Sequence, residues 1–154
     1  MSPYNIHLTL KFFGNIEESQ IDAIVQTITG PARTMAPISI TVQGTGAFPG
    51  LKNPRVIWIG LYDKSKVLAS FQRQLEGELQ KIGFPSEDRP FHPHLTLGRM
   101  RTSRGKDDLI REMERYREEG FGSFQADRVV LFKSDLRPEG AVYTRLREVK
   151  LGDL

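Results

Sequence analysis

The stretch HPHLTLGR, residues 92–99, decides the fold, because its centre occurs twice in the chain. The tetrapeptide HLTL at residues 94–97 repeats, letter for letter, at residues 7–10. The protein has three histidines, and two of them therefore stand in identical tetrapeptides. Repetition of this kind indicates two related structural elements.

Each HLTL copy alternates polar and apolar residues with a period of two. In a β-strand, successive side chains point to opposite faces, so His94 and Thr96 share one face and the leucines share the other. The same holds for His7 and Thr9 near the start of the chain. The pattern predicts two strands, each with a leucine face for a core and a polar face. If the polar faces oppose each other, they supply the groups needed to move two protons at an anionic centre.

Length and composition limit the class of protein. A chain of 154 residues suits one domain, residues 1–154, made of two small lobes. No apolar run is as long as a membrane span, no signal-peptide pattern opens the chain, and there is no cysteine. These features predict a cytoplasmic protein without membrane association, disulfides or thiolate metal sites. The formal net charge of +3 permits an anionic partner such as RNA but does not require one.

Hydrophobic periodicity and turn residues predict how the chain is divided into elements. The predicted strands are 5–13, 38–42, 56–61, 94–97, 124–132 and 142–151, and the predicted helices are 17–29, 65–82 and 107–119. Each HLTL copy is followed by a helix and two strands, which indicates a duplicated unit with pseudo-twofold lobes. The second copy is also preceded by a strand and a long amphipathic helix, whereas only six residues precede the first copy.

The paired HLTL sequences resemble the His-x-Thr-x signatures of the two-histidine (2H) phosphoesterases. The flanking sequence is similar to one branch of them, the RNA 2′,3′-cyclic phosphodiesterases of bacteria and archaea (ThpR/LigT-like). The similar stretches are residues 7–14, 48–49, 55–61, 91–99 and 131–143. The resemblance implies an α+β, bilobal, pseudo-twofold fold. In it, two antiparallel sheets face each other across a central cleft, helices lie outside, and each lobe carries one HLTL strand.

Members of that family usually begin with a strand and a helix before the first signature. A strand and a helix also precede the second HLTL copy, whereas the first copy has no counterpart of them. We therefore expect this chain to lack the family's first strand and helix. If nothing replaces them, a sheet edge and an apolar surface are exposed, which would permit self-association. No obligate protein partner is predicted.

The resemblance also implies a mechanism. Opening a 2′,3′-cyclic phosphate needs a deprotonated water on one side of phosphorus and a protonated leaving oxygen on the other. Histidine suits both tasks, because its ordinary pKa is about 6.5. The resemblance implies that His94 is the general base, that His7 is the general acid, and that no metal or other cofactor takes part. Thr9 and Thr96 would hold the non-bridging phosphate oxygens. Because the two HLTL copies are identical, the sequence by itself does not distinguish which histidine is the acid and which is the base.

Two further residues are candidates for substrate binding. Arg99 lies five residues after His94, so a regular strand would place it on the opposite face. A bulge or twist at Gly98 would turn Arg99 toward the phosphate; otherwise it is a surface arginine. Phe48, in the loop predicted at residues 43–54, would either stack on a base or fill the interior of its own loop.

Other polar and aromatic residues are weaker candidates. His92 and His94 have the spacing of two metal ligands on one strand, although such a site needs a third ligand and Pro93 separates the two. The alternative is that His92 shapes the start of the strand. The weaker candidates for contact with RNA are Tyr143, Lys11, Arg101, Arg104 and Lys106. The alternatives are packing within a strand for Tyr143 and a solvated basic surface for the four cations.

Three functions fit these observations. The first is hydrolysis of RNA 2′,3′-cyclic phosphate termini to 2′-phosphates, with 2′–5′ joining of RNA as the same chemistry reversed. The second is hydrolysis of a small cyclic nucleotide of the ADP-ribose 1″,2″-cyclic phosphate type. The third is a module that binds nucleotides or RNA ends without turnover. The presence of both histidines and both threonines argues against the third function.

Overall fold

Residues 2–152 are described by a computed structural model of the chain. This part of the chain forms three α-helices and six β-strands, so the predicted α+β class is confirmed. The elements are α1 (Ile21–Arg33), β1 (Ile38–Phe48), β2 (Val56–Tyr62), α2 (Val67–Lys81), β3 (His94–Arg99), α3 (Lys106–Arg115), β4 (Gly120–Ala126), β5 (Arg128–Arg137) and β6 (Gly140–Lys150). None of these helices is both long enough and apolar enough to span a bilayer.

The elements group into two compact units. The first unit contains the chain up to Thr9 together with Ile40–Tyr62 and Pro93–Phe124. The second unit contains Leu10–Ser39, Asp63–His92 and the chain from Gln125 onward. The expectation of one domain with two lobes stays a prediction.

A four-stranded sheet organises the first unit, in the order β3-β2-β1-β4. The β1–β2 and β2–β3 pairs are antiparallel. One face of this sheet packs against α3, since Ala47 and Ile57 share a buried cluster with Met113. The Thr45 hydroxyl donates a hydrogen bond to the Met113 carbonyl at 2.6 Å on the same face. The opposite face is therefore left for other contacts.

Helices α1 and α2 and the β5–β6 hairpin form the second unit. Helix α2 buries a stripe at helical spacing, and the predicted amphipathic helix is thereby confirmed. The stripe consists of Leu68, Phe71, Leu75 and Leu79. The hairpin pairs Arg128 with Lys150 at its open end and Arg137 with Gly140 at its turn.

The predicted strand over residues 5–13 is wrong. A 3₁₀ turn occupies Pro3–Asn5, and residues 6–13 belong to no strand. The Leu10 carbonyl instead accepts a hydrogen bond from the Gln72 side-chain amide at 3.3 Å. The physical reason is that alternation specifies which side chains share a face but cannot supply a neighbouring strand to pair with.

The loop predicted at residues 43–54 is wrong over its first half. Strand β1 continues through Phe48, because residues 45–48 pair with residues 56–59 of β2.

Two further differences concern α1 and the strand predicted at residues 124–132. Helix α1 continues through Gly30-Pro31, although the sequence predicts its end there, because Ala32 is fully buried and its carbonyl accepts a hydrogen bond from Gly152 at 2.9 Å. The strand predicted at 124–132 is two strands, since the chain leaves the four-stranded sheet after Ala126 and enters the hairpin at Arg128. In both cases a contact distant in sequence overrides the local signal.

Candidate functional site

Strand β3 contains the second HLTL copy and confirms the predicted alternation there. His94 pairs with Gly60 and Thr96 pairs with Trp58 on the neighbouring strand β2. Residues directly opposite each other in a sheet point to the same face. His94 and Thr96 therefore lie together on the face that is not covered by α3.

A bulge in β3 brings Arg99 to that face. Thr96 pairs with Trp58, but Gly98 pairs with the adjacent residue Ile57, so Leu97 is the extra residue on β3. One inserted residue reverses the alternation beyond it. Arg99 pairs with Val56 and is exposed on the same face as His94 and Thr96. The bulge that the sequence offered as one alternative is present, although a role for Arg99 in binding stays a prediction.

Aromatic rings surround the His94 imidazole. The Phe48 ring lies 5.1 Å from it, centroid to centroid, at an interplanar angle of 80°. The Trp58 ring lies 6.3 Å from the imidazole and 5.5 Å from Phe48. Trp58 also covers Gly46, where an added Cβ would overlap the indole. A glycine is needed at position 46 because any side chain would displace the ring beside His94.

We call this surface the histidine face of the sheet. Its members are Phe48, Trp58, Tyr62, His94, Thr96 and Arg99. An imidazole, a hydroxyl and a guanidinium on one surface can together hold an anion and transfer a proton beside it.

The first HLTL copy contributes to the same compact unit up to Thr9. The His7 Nδ1 lies 2.7 Å from the Asn5 carbonyl oxygen, which can only accept a hydrogen bond. Nδ1 must therefore carry a hydrogen, and Nε2 is the nitrogen that gains or loses a proton. His7 is half-buried and Thr9 is exposed. An imidazole oriented in this way can act as an acid or as a base through Nε2.

The weaker candidates divide between the two units. Lys11 in the second unit is only 8% exposed and forms an ion pair with Glu76 at 3.0 Å, so its predicted contact with RNA is wrong. Arg101 and Arg104 are exposed in the segment between β3 and α3. Tyr143 lies on β6, where its ring packs edge-on against Phe132 at 6.1 Å.

The metal alternative needed a third ligand near His92 and His94. Within residues 2–152, no cluster of three or more His, Cys, Asp or Glu side chains is arranged to hold an ion. His92 itself is exposed and precedes β3 by two residues.

Trp58 and Tyr62 are members of the site that sequence reasoning did not identify. Both lie on β2; Trp58 falls within residues 56–61, which the sequence predicts to be a buried strand, and Tyr62 follows that range. The sequence pattern that could have identified them is the period-two series Trp58, Gly60, Tyr62. These three residues share one face of the strand, and two of them are aromatic.

The chain is similar to known proteins over almost its whole length. The sequence model of the 2′-5′ RNA ligase superfamily matches residues 5–138. A protein of Methanothermobacter thermautotrophicus named RNA 2′,3′-cyclic phosphodiesterase is 34% identical, covering 98% of this chain and 81% of its own. A protein of the same name from Methanocaldococcus jannaschii is 34% identical, covering 94% and 79%. The crystal structure of TT0787 of Thermus thermophilus matches with a TM-score of 0.83 at 27% identity, covering 99% of this chain and 81% of that one.

Proposed function

The chain belongs to the 2′-5′ RNA ligase superfamily, and on that basis we propose that it hydrolyses the 2′,3′-cyclic phosphate at the end of an RNA. The names of its relatives support this substrate class. The observation that carries the proposal is the β2–β3 register, because it puts His94, Thr96 and Arg99 on one face of one sheet. An imidazole that shares a face with a hydroxyl and a guanidinium is suited to reaction at a phosphate.

In the proposed mechanism, His94 takes a proton from a water molecule, and the water oxygen forms a bond to phosphorus. The bond from phosphorus to the ribose 3′ oxygen breaks, and His7 gives that oxygen a proton through Nε2. The product is a ribose with a 2′-phosphate and a 3′-hydroxyl. Thr9, Thr96 and Arg99 stabilise the charge on the non-bridging oxygens. The contact between His7 Nδ1 and the Asn5 carbonyl supports a role for His7 in proton transfer, because it leaves Nε2 as the nitrogen that exchanges the proton. The assignment of His7 as the acid rather than the base follows the family.

The test is incubation with EDTA and a short RNA that ends in a 2′,3′-cyclic phosphate. The product is identified by chromatography against RNA ending in a 2′-phosphate or a 3′-phosphate. We expect the 2′-phosphate alone, formed without added metal. A 3′-phosphate product, or none at all, would contradict the proposal.

The roles of the two histidines are tested by replacement. We expect His7→Ala and His94→Ala each to lower kcat by at least about a hundredfold, since general acid–base catalysis contributes that much or more. The matched control is His92→Ala, which removes the third histidine at an exposed position and should leave turnover nearly unchanged. Circular dichroism of all three variants checks that the fold is kept. Near wild-type activity in either His7→Ala or His94→Ala would overturn the assignment.

The same site can run the reaction in the direction of joining. An RNA 5′-hydroxyl replaces water as the nucleophile, and the product is a 2′–5′ diester. The description of the superfamily favours this second activity. Incubating an RNA 2′,3′-cyclic phosphate with a 5′-hydroxyl RNA measures it directly. A comparison of kcat/KM for an oligonucleotide with that for ADP-ribose 1″,2″-cyclic phosphate separates RNA processing from a small-molecule substrate.

A further inference from the structure

Tyr62 lies beside His94 on the histidine face, and the mechanism above does not use it. It follows Gly60 by two residues on β2, and Gly60 is the residue opposite His94. The Tyr62 ring leans back over this glycine. A Cβ added to Gly60 would stand 3.0 Å from Tyr62 Cε2 and 3.2 Å from the Tyr62 hydroxyl. Residues opposite each other in a sheet have Cβ atoms about 5 Å apart, so the hydroxyl lies within about 9 Å of the His94 Cβ.

The outer side of this ring faces solvent. Tyr62 is 54% exposed although its ring leans over Gly60, so much of this side chain is accessible to solvent. Phe48, the aromatic residue that the sequence suggested for stacking, is half-buried and packs against His94 and Trp58. Tyr62 is thus the better placed ring for a flat ligand.

The order of residues across the histidine face determines which way a bound nucleotide would be oriented. Along β2, Val56 is opposite Arg99, Trp58 is opposite Thr96, and Gly60 is opposite His94. The phosphate ligands Thr96 and Arg99 therefore lie on one side of His94, and Tyr62 lies on the other. A strand advances about 3.3 Å per residue, so Tyr62 begins roughly 7 Å from the position opposite His94. A nucleoside attached to a phosphate at His94 and Thr96 can reach this ring.

We propose that Tyr62 is a substrate-binding residue whose ring stacks on the base of the terminal nucleotide while the cyclic phosphate lies at His94 and Thr96. This inference rests on the proposed function and specifies how the substrate is held. Stacking on an aromatic ring accepts any base, since every base presents a π face. The site is expected to require a base but to discriminate weakly among the four.

The experiment compares two substrates that differ only in the base. One is adenosine 2′,3′-cyclic phosphate and the other is 1-O-methylribose 2,3-cyclic phosphate, which has no base. We expect Tyr62→Ala to raise KM for the adenosine substrate roughly 10- to 100-fold with little change in kcat, and to leave the base-free substrate unaffected. Tyr62→Phe keeps the ring and should resemble the wild type. Tyr116→Ala is the matched control, because Tyr116 is another exposed tyrosine of the first unit.

Two kinetic results would overturn the proposal. One is an equal loss by Tyr62→Ala on both substrates, which would indicate an effect on the phosphate site or on the fold. The other is a loss in Tyr62→Phe as large as that in Tyr62→Ala, which would assign the role to the hydroxyl.

A binding measurement separates this inference from the proposed function. The protein has a single tryptophan, Trp58, which lies on the histidine face, so its fluorescence reports on ligands there. Adenosine 2′-monophosphate is titrated into the wild type and into Tyr62→Ala whether or not turnover is found. At least tenfold weaker binding by the variant supports stacking. Equal affinities, or no binding by the wild type, overturn it. Absence of turnover with the expected difference in binding would contradict the proposed function alone.

Discussion

A single extra residue in β3 decides which way Arg99 points. Without Leu97 as the bulged residue, Arg99 would share a face with the leucines of the HLTL sequence. With the bulge, the guanidinium lies on the face of His94 and Thr96, where it would pair with a phosphate. The glycine at position 98 follows the bulged residue directly and adds no side chain of its own at this turn in the strand.

Arg99→Ala is expected to weaken transition-state binding. Loss of a hydrogen bond to a charged group costs about 1.5–3 kcal/mol, which corresponds to a fall in kcat/KM of roughly 10- to 150-fold. Arg101→Ala is the matched control, since Arg101 is an exposed arginine just beyond the strand. We expect its effect to stay below about threefold, in line with a distant surface charge. Similar losses in the two variants, measured with the RNA substrate at the same salt concentration, would show that Arg99 contributes only general positive charge.

At the scale of a single element, the side chain of Asp63 caps the start of helix α2. Asp63 accepts hydrogen bonds from the Leu68 N–H at 2.7 Å and from the Ser65 N–H at 3.0 Å. Burial alone would raise the pKa of Asp63, but the hydrogen bonds from the Ser65 hydroxyl and from backbone N–H groups outweigh burial and lower the pKa. The carboxylate thus satisfies N–H groups at the start of the helix that have no partner within it.

Asp63→Ala is expected to lower the free energy of unfolding by about 1–2 kcal/mol, the usual cost of losing such a cap. Because the folded-state pKa is lowered, the stabilisation is complete above the ordinary aspartate pKa of about 3.9 and is lost as the pH falls through the lowered value. Urea unfolding of wild type and variant between about pH 7 and pH 3 should therefore show a difference that shrinks in acid. Asp88→Ala, at an exposed aspartate, is the control. A difference that grows in acid would refute the capping role.

At the scale of the whole molecule, the fold brings together charged residues that are far apart in sequence. Lys11 and Glu76 form an ion pair at 3.0 Å, with side chains 8% and 10% exposed. The Lys11 ammonium also donates to the Pro85 carbonyl at 2.6 Å, and the other Glu76 oxygen accepts from the Glu87 N–H at 2.8 Å. These bonds compensate both charges and tie three segments of the second unit together.

Glu76→Gln is expected to destabilise the protein by about 3–5 kcal/mol, because it leaves the Lys11 ammonium buried without its counter-charge. Glu78→Gln provides the comparison on the same helix. Glu78 pairs with Lys81 at 2.8 Å, but this pair is exposed, so its loss should cost less than about 1 kcal/mol. Urea unfolding at neutral pH measures both variants. Equal, small effects would mean that solvent screens the Lys11 charge in spite of its burial.

Sequence by itself determined the features that depend on residue spacing. The period-two pattern at residues 94–97 predicted which side chains of β3 share a face, and the helical stripe predicted the buried side of α2. The doubled HLTL sequence also pointed to the family, and that resemblance is confirmed. These signals are local, because the geometry of a strand or a helix relates each residue to its near neighbours along the chain.

Tertiary structure alone decided the rest. The first HLTL copy forms no strand, Leu97 bulges, Lys11 is buried, and Tyr62 leans over Gly60. Each of these features depends on what a distant segment places next to the residue. A strand needs a neighbour for its hydrogen bonds, a bulge is defined by its register against a second strand, and burial depends on the surrounding packing. None of these partners can be identified from the spacing of residues along one stretch of chain.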